Sequence, residues 1–262
     1  MLAFAVFIAE IIALGKVPDF NLIIVFSLLV PIFSEMGSFA LNDYFDIESD
    51  RTNKKNGPLV TGAIKPKTAF AFSIICIVIS IILAYFISQI IFLITLIFNI
   101  LAIAYNVKLK DLPLVGNLYI ATTMAIPFIF GNLVISEIKA TIIVLALLGF
   151  IAGLAREIIK SVQDMEGDRK ARASRTLPIV IGEKAALIVA VILDLIFIPL
   201  SFIPLIGVAS IFPWILVGIA NLLIVVICYK LITKKDFKFA RNISLVVFVL
   251  GMIGILFGTL LV

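Results

Sequence analysis

Three carboxylates at the end of an apolar stretch have the spacing of one helical face. Asp43, Asp46 and Asp50 stand at positions i, i+3 and i+7. Because an α-helix turns by about 100° per residue, they would lie within roughly 60° of one another, whereas Glu48 would point away. Acids on one face repel each other unless a cation lies between them. Since Mg²⁺ is held by carboxylates and shares its other positions with substrate phosphates, this stretch predicts a Mg²⁺–phosphate site.

A second acidic stretch has the same character. Asp164 and Asp168 are i and i+4, Lys160 and Glu157 continue their face backwards, and Glu166 lies off it. Two such faces could hold a diphosphate through bridging Mg²⁺, which neutralises the phosphate charge and makes diphosphate a better leaving group. The predicted metal-binding and catalytic residues are Asp43, Asp46, Asp50, Asp164 and Asp168.

Basic and polar side chains near these acids could bind phosphate oxygens through charge-assisted hydrogen bonds. Asn42 and Asn53 flank the first acidic stripe. Tyr105 and Asn106 suit either the site or an interfacial aromatic and a helix cap. The candidate substrate-binding residues are Asn42, Arg51, Asn53, Tyr105, Lys108, Lys110, Lys160, Arg169, Arg172 and Arg175.

The composition is that of a polytopic membrane protein. Of the 262 residues, 63% are hydrophobic and 14% are charged. Histidine is absent from the sequence, which removes histidine general-base chemistry and histidine ligands for zinc or haem. Cys76 and Cys228 lie inside apolar segments, where we expect small buried side chains and no disulfide. The net charge of +5 reflects basic loops, so we expect no nucleic-acid partner.

We predict an all-α fold with nine transmembrane helices around a central cavity, capped by cytoplasmic helices that carry the acids. The first segment is short against the about 20 residues that a span needs, and it lacks the features of a cleavable signal peptide. The predicted spans are 1–15, 20–41, 68–87, 89–106, 115–135, 138–160, 183–203, 207–231 and 241–262.

The basic residues predict the orientation in the membrane. Every Lys and Arg except Lys16 and Lys139 falls in or beside the even-numbered loops. The positive-inside rule makes those loops cytoplasmic, which places the N-terminus inside and the C-terminus outside. Both acidic stretches then share the cytoplasmic face, as a single site requires.

The chain also shows a weak internal similarity. Each acidic stretch is followed by an apolar segment with Gly and Pro, and then by lysine. We therefore expect one domain, 1–262, that contains possible four-helix pseudo-repeats at about 1–110 and 115–235.

The acidic motifs resemble the paired signatures of the UbiA superfamily of intramembrane prenyltransferases. The matching residues are Asn42-Asp43-x-x-Asp46-x-x-x-Asp50, followed by Asp164-x-x-x-Asp168. The resemblance implies a cavity open laterally to lipid, and Mg²⁺ that bridges both motifs to a prenyl diphosphate. Tyr105-Asn106-x-Lys108-x-Lys110 is similar to the family's Tyr/Lys segment, with slightly different spacing. The family's usual N-terminal Arg-Pro-x-Asn-like segment is not found before Ala3.

Within the superfamily, residues 156–178 are most similar to archaeal digeranylgeranylglyceryl phosphate synthases, which make archaeal ether lipids. This resemblance implies O-alkylation of geranylgeranylglyceryl phosphate, a lipid-like phosphorylated acceptor, by geranylgeranyl diphosphate. The acceptor phosphate would use bases beyond those that one diphosphate needs, namely Lys160, Arg169, Arg172 and Arg175.

Three alternatives remain at this point. An aromatic acceptor such as 4-hydroxybenzoate or homogentisate would suit the same donor site. A CDP-alcohol phosphotransferase would need an Asp-x-x-Asp-Gly-x-x-Ala-Arg string, which the sequence lacks. A cation transporter would need acids near the membrane midplane, where only Glu10, Glu35 and Asp194 are candidates and form no pattern.

Overall fold

The computed structural model describes residues 1–52, 56–172 and 175–261, without the side chains of residues 171 and 172. Over this part of the chain the regular structure is entirely helical, so the all-α prediction is confirmed. The α-helices are α1 Leu2–Leu14, α2 Leu22–Thr52, α3 Pro66–Tyr85, α4 Gln89–Val107, α5 Val115–Ile135, α6 Ala140–Gln163, α7 Met165–Arg172, α8 Leu177–Ile181, α9 Glu183–Leu200, α10 Ile211–Lys234 and α11 Phe237–Leu260.

Nine of these helices, α1–α6 and α9–α11, correspond to the predicted spans. Among the described residues, 8 helices are long and apolar enough to cross a membrane, and α1 has only 13 residues. The 31-residue α2 continues beyond its apolar part and carries the first acidic stretch on its last turns. The short helix α7 follows α6 and carries Asp168. The acids thus lie on helical segments beyond the apolar parts of α2 and α6.

Helices α5 and α6 pack closely because α6 presents glycine to α5. A Cβ atom at Gly149 would lie 2.6 Å from the Met124 carbonyl oxygen, and one at Gly153 would lie 2.9 Å from Met124 Cγ. The Gly149-x-x-x-Gly153 spacing places both positions on one face, a small-residue pattern that lets membrane helices approach each other. This contact sets the distance between two walls of the site described below.

The order of the elements is similar after each acidic stretch. Before α3 begins at Pro66 the chain forms a turn at 58–62, and after α7 it enters the short α8 at Leu177. The division into pseudo-repeats at about 1–110 and 115–235 stays a prediction.

Candidate active site

The two acidic stretches meet in one cavity of about 330 Å³ at an end of the helix bundle. The cavity lies between the last turns of α2, the end of α4 with the turn after it, and the junction of α6 with α7. All five predicted aspartates line it. The lining residues are Asn42, Asp43, Asp46, Ser49, Asp50, Gly57, Leu59, Val60, Tyr105, Lys110, Asp111, Glu157, Lys160, Ser161, Asp164, Asp168 and Thr176.

Hydrogen bonds between helices hold the first motif against its neighbours. Ser49 Oγ on α2 donates to Asp168 Oδ1 on α7 at 3.4 Å, so the two acidic stretches are in direct contact. Asn42 Nδ2 donates to Asn106 Oδ1 on α4 at 2.9 Å. The Asn106 amide also donates to the Ala102 carbonyl at 2.9 Å, which fixes its orientation. The acidic face of α2 is therefore locked towards α4 and α7.

The second acidic stretch is two helices, not the single helix that its spacing suggested. Helix α6 ends at Gln163, Asp164 follows as its C-cap, and α7 begins at Met165. The Asp168 amide still donates to the Asp164 carbonyl at 3.0 Å, so the i, i+4 relation survives the break. Both aspartates consequently face the same cavity.

The off-face acids point where the helical-face argument predicted. Glu48 is 76% exposed and pairs with Arg51 at 2.8 Å, while Glu166 is 85% exposed and pairs with Lys170 at 3.9 Å. Neither glutamate lines the cavity. Position on the helical face thus separates the acids that line the cavity from those that do not, in both stretches.

Lys110 is in direct contact with the acids of the cavity. Its Nζ atom donates to Asp46 Oδ1, and the two side chains are only 9% and 14% exposed. A 3₁₀ turn at Leu109–Asp111 carries this lysine into the cavity. Gly116, in the first turn of α5, packs against this 3₁₀ turn, and a Cβ atom at Gly116 would lie 3.0 Å from Lys110 Cα. Glycine at position 116 therefore allows the close approach that positions Lys110.

The other predicted substrate-binding residues divide into two groups. Tyr105 and Lys160 line the cavity with Asn42 and Lys110. Arg51 turns to Glu48 because the two are i and i+3 on an exposed face of α2. Lys108 caps α4 and is exposed, and Arg169 and Arg175 are exposed as well.

Two predicted residues cannot be placed in this way, because Asn53 and the Arg172 side chain lie outside the described part of the chain. The roles of Arg51, Asn53, Lys108, Arg169, Arg172 and Arg175 stay predictions.

A second cavity of about 420 Å³ lies deeper in the bundle, between α1, α2, α4, α5 and α6. Most of its lining side chains are apolar, including Val6, Val30, Phe98 and Phe130. We call it the apolar chamber, and the first one the polar cavity. Glu157 and Lys160 line both spaces, so the two adjoin at this point on α6.

Two stacked tyrosines stand beside that junction. The rings of Tyr105 and Tyr119 have centroids 5.0 Å apart. Tyr105 lines the polar cavity, whereas Tyr119 lines the apolar chamber. The arrangement suits an amphiphile with a charged head in the polar cavity, an apolar chain in the chamber and aromatic faces near the connecting atoms.

Several lining residues are absent from the set of site residues that the sequence predicts. The spacing indicates Glu157 only as an extension of the acidic face, and Glu157 lines the cavity as that face implies. Ser49, Asp111 and Thr176 line the polar cavity, and Tyr119 lines the chamber. No local pattern marks Tyr119 among the 22 Phe and 5 Tyr of the sequence, because only packing brings it beside Tyr105.

The chemistry of the donor set fits Mg²⁺ shared with a phosphate ligand. Oxygen atoms of five aspartates surround the polar cavity, and carboxylate oxygens are the ligands that Mg²⁺ prefers. In the ranges that the structure describes, no three acidic side chains come close enough to hold one ion by themselves. Mg²⁺ usually binds through one or two carboxylates, with waters and substrate phosphates completing its shell, so this spacing is compatible with it.

Comparison with known proteins establishes the family. The UbiA prenyltransferase family model matches residues 2–251. The chain is 37% identical to the digeranylgeranylglyceryl phosphate synthase of Methanosphaera stadtmanae, over 85% of this chain and 81% of that protein. It is also 37% identical to the synthase of Pyrococcus furiosus, over 75% of this chain and 70% of that protein.

Solved structures show the same fold. A structure described for digeranylgeranylglyceryl phosphate synthase aligns with a TM-score of 0.75 and 27% identity, over 99% of this chain and 93% of that one. A UbiA homologue from Archaeoglobus fulgidus bound to DMAPP and Mg²⁺ aligns with a TM-score of 0.69 and 22% identity, over 97% of this chain and 95% of that one. The chain belongs to the UbiA prenyltransferase family and is a polytopic membrane enzyme.

Proposed function

We propose that this member of the UbiA prenyltransferase family transfers a geranylgeranyl group from geranylgeranyl diphosphate to the free hydroxyl of geranylgeranylglyceryl phosphate, with Mg²⁺. One observation carries the proposal: an aspartate-lined polar cavity adjoins an apolar chamber, and a lysine stands at the junction. The choice of acceptor is supported by the two relatives described above, both of which are digeranylgeranylglyceryl phosphate synthases.

The donor diphosphate would bind in the polar cavity. Asp43, Asp46, Asp50, Asp164 and Asp168 would hold Mg²⁺ against its oxygens. When bound, Mg²⁺ neutralises diphosphate charge and makes diphosphate a better leaving group. Lys110 already lies in the cavity beside Asp46 and would donate to a phosphate oxygen, and Asn42 and Tyr105 supply further polar contacts.

The prenyl chain would lie in the apolar chamber. Burial of the chain there is favourable because it removes apolar surface from water. The apolar lining would also keep water away from a reactive allylic cation. The rings of Tyr105 and Tyr119 stack on each other, with Tyr105 in the lining of the polar cavity and Tyr119 in the lining of the chamber. Aromatic faces attract positive charge, so this pair would stabilise charge that develops on the first prenyl carbon.

The acceptor phosphate would bind at the junction, where Lys160 lines both spaces. Arg169, Arg172 and Arg175 follow in the chain and would add positive charge around the entrance to the polar cavity. Anchoring the phosphate holds the acceptor hydroxyl near the donor carbon, and such positioning can lower a barrier by about 7–11 kcal/mol at its best.

The distribution of basic residues supports a cytoplasmic active site. Lys67, Arg169 and Lys235 lie in or beside the connections between spans that the positive-inside rule assigns to the cytoplasm, and the polar cavity lies at the same end of the spans as these connections. The N-terminus would then be cytoplasmic and the C-terminus outside.

A parallel acceptor assay tests the proposal. Purified enzyme in detergent, with Mg²⁺ and geranylgeranyl diphosphate, is offered geranylgeranylglyceryl phosphate, 4-hydroxybenzoate or homogentisate, and products are identified by mass spectrometry. We expect the diether phosphate as the product and no prenylated aromatic. A prenylated aromatic as the only product would overturn the acceptor assignment.

A further inference from the structure

Glu157 occupies a position that donor binding does not explain. Among the described residues, only Glu157 and Lys160 line both the polar cavity and the apolar chamber. Among the described acids, Glu157 is therefore the one that lies at the boundary between the two spaces. The diphosphate head and the prenyl chain of the donor would join at this boundary. The reacting carbon of the donor belongs at this boundary.

The surroundings of Glu157 fix its place. The residue is only 6% exposed, and Lys160 Nζ donates to its Oε1 atom at 3.3 Å. Ser161 Oγ donates to the Glu157 backbone carbonyl at 2.9 Å, and Asn117 Nδ2 of α5 donates to Ser161 Oγ at 2.8 Å. The neighbouring lysine compensates the buried charge, and the link to α5 holds this turn of α6 in position.

Transfer to a hydroxyl requires a proton acceptor, which the metal site does not provide. The acceptor oxygen forms a bond to the first prenyl carbon while the bond from that carbon to the diphosphate oxygen breaks, and the diphosphate keeps the electron pair. The attacking oxygen then carries a positive charge until its proton leaves. A base within hydrogen-bond reach of that oxygen would take the proton as the new bond forms.

We propose that Glu157 is this base and accepts the proton of the acceptor hydroxyl. The inference rests on the proposed function. In a glycerol with one ether and one phosphate, the free hydroxyl is close to the phosphate along the same three-carbon skeleton. A lysine and a carboxylate that contact each other can therefore bind both groups at once, Lys160 the phosphate and Glu157 the hydroxyl.

The positions of the acids in the two spaces also separate their proposed roles. The aspartates line the polar cavity but not the apolar chamber, and Glu35 lines the chamber but not the polar cavity. Glu157 alone among the described acids reaches both. After transfer its proton would pass to the water of the polar cavity or to the departing diphosphate, which restores the carboxylate for the next turnover.

The test separates proton acceptance from donor binding. Glu157→Gln keeps the size of the side chain but removes the basic oxygen. We expect its kcat for the glyceryl phosphate acceptor to fall by about 10²–10⁴-fold, the usual contribution of a general base. The Kd of a non-reactive thio-diphosphate analogue of the donor, measured with Mg²⁺, should stay within about 3-fold of wild type, since removing a group that acts only in transfer leaves ground-state binding unchanged.

Two controls accompany this variant. Glu166→Gln removes an acid that is 85% exposed and should leave kcat unchanged. Glu157→Asp and Glu157→Asn introduce side chains of nearly equal size, of which only Asp is a carboxylate. Comparing these two variants tests the role of the carboxylate even if the Gln variant does not fold. We expect the Asp variant to exceed the Asn variant in kcat by at least about 10-fold, because it keeps a carboxylate.

The outcomes are distinct from those of the acceptor assay. Wild-type kcat in Glu157→Gln, or equal kcat in the Asp and Asn variants, would overturn the proposal. A matching loss of donor-analogue binding would overturn it too, since Glu157 would then belong to the metal–diphosphate site. Failure of wild-type enzyme to alkylate the glyceryl phosphate would instead refute the proposed function, whatever the variants do.

Discussion

The contact of α6 with α5 at Gly149 gives a sharp test of the fold. Gly149→Ala places a Cβ atom 2.6 Å from the Met124 carbonyl oxygen and 3.1 Å from Phe128 Cε2. Ordinary contacts begin near 3.4 Å, so the two backbones must separate by about 0.8 Å. Since the obstacle is a backbone atom, a side-chain rotation cannot relieve it. The separation would also displace Met124, which lines the apolar chamber.

The magnitude follows from two opposing effects. Overpacking of a close-packed interior costs about 1–3 kcal/mol. Replacing glycine by alanine inside a helix returns about 1 kcal/mol. We therefore expect a net loss of about 1–2 kcal/mol for Gly149→Ala, since its contact is severe. Gly251→Ala on α11 is the matched control, because a Cβ atom there has no neighbour within 4 Å and should show only the gain.

Thermal unfolding in detergent measures the difference. Cys76 and Cys228 are buried free thiols, so a thiol-reactive fluorescent dye reports the loss of structure. A difference of about 2–3 kcal/mol between the two alanine variants corresponds to roughly 4–12 °C in Tm for a chain of this size. Equal Tm values would refute the close approach of α5 and α6 at Gly149.

Two further predictions concern the metal and the membrane. Excess EDTA should abolish transfer and added Mg²⁺ should restore it, because the aspartates alone cannot neutralise a diphosphate; full activity in chelator would remove the metal from the mechanism. Single cysteines at Lys67, Arg169 and Lys235, in a background without native cysteines, should label only from the cytoplasm in oriented vesicles, and a cysteine at Lys139 only from outside. Labelling of Lys67 and Arg169 from opposite sides would contradict a single site.

The acidic faces could be predicted from the sequence because helix geometry alone decides them. The angle between Asp43, Asp46 and Asp50 depends on the helical repeat and on no distant residue. The same reasoning placed Glu48 and Glu166 outside the cavity, where the structure has them. The spans were predictable for a similar reason, since the bilayer imposes a length and an apolar composition on each helix.

The choice among basic residues was not predictable, because tertiary contacts decide it. Lys108 and Lys110 are two positions apart, yet only Lys110 lines the cavity. The difference arises from the 3₁₀ turn at Leu109–Asp111 and from its close packing against Gly116. Arg51 is different, since its i, i+3 spacing from Glu48 on the exposed face already offered it another partner.

The boundary between the two cavities was also beyond sequence reasoning. Glu157 lies on the face of Asp164, two turns earlier, so its direction could be predicted. Its access to the apolar chamber depends on how α6 packs against α5 through Gly149 and Gly153. The stacking of Tyr105 on Tyr119 likewise joins α4 to α5, and no short-range pattern encodes it.

A double-mutant cycle on donor binding tests most directly whether both acidic motifs hold one diphosphate. Asp43→Asn, Asp168→Asn and the double variant are compared by the Mg²⁺-dependent Kd of the thio-diphosphate donor analogue, with Glu48→Gln and Glu166→Gln as exposed controls. We expect each single Asn variant to weaken binding by about 10–100-fold, since an interaction with a charged group contributes about 1.5–3 kcal/mol, and both controls to bind like wild type. Because the two aspartates act on the same ligand, the Kd of the double variant should be no more than about 3-fold above that of the single variant that binds the analogue less tightly. Losses that multiply, or a loss from only one of the two motifs, would contradict a shared site.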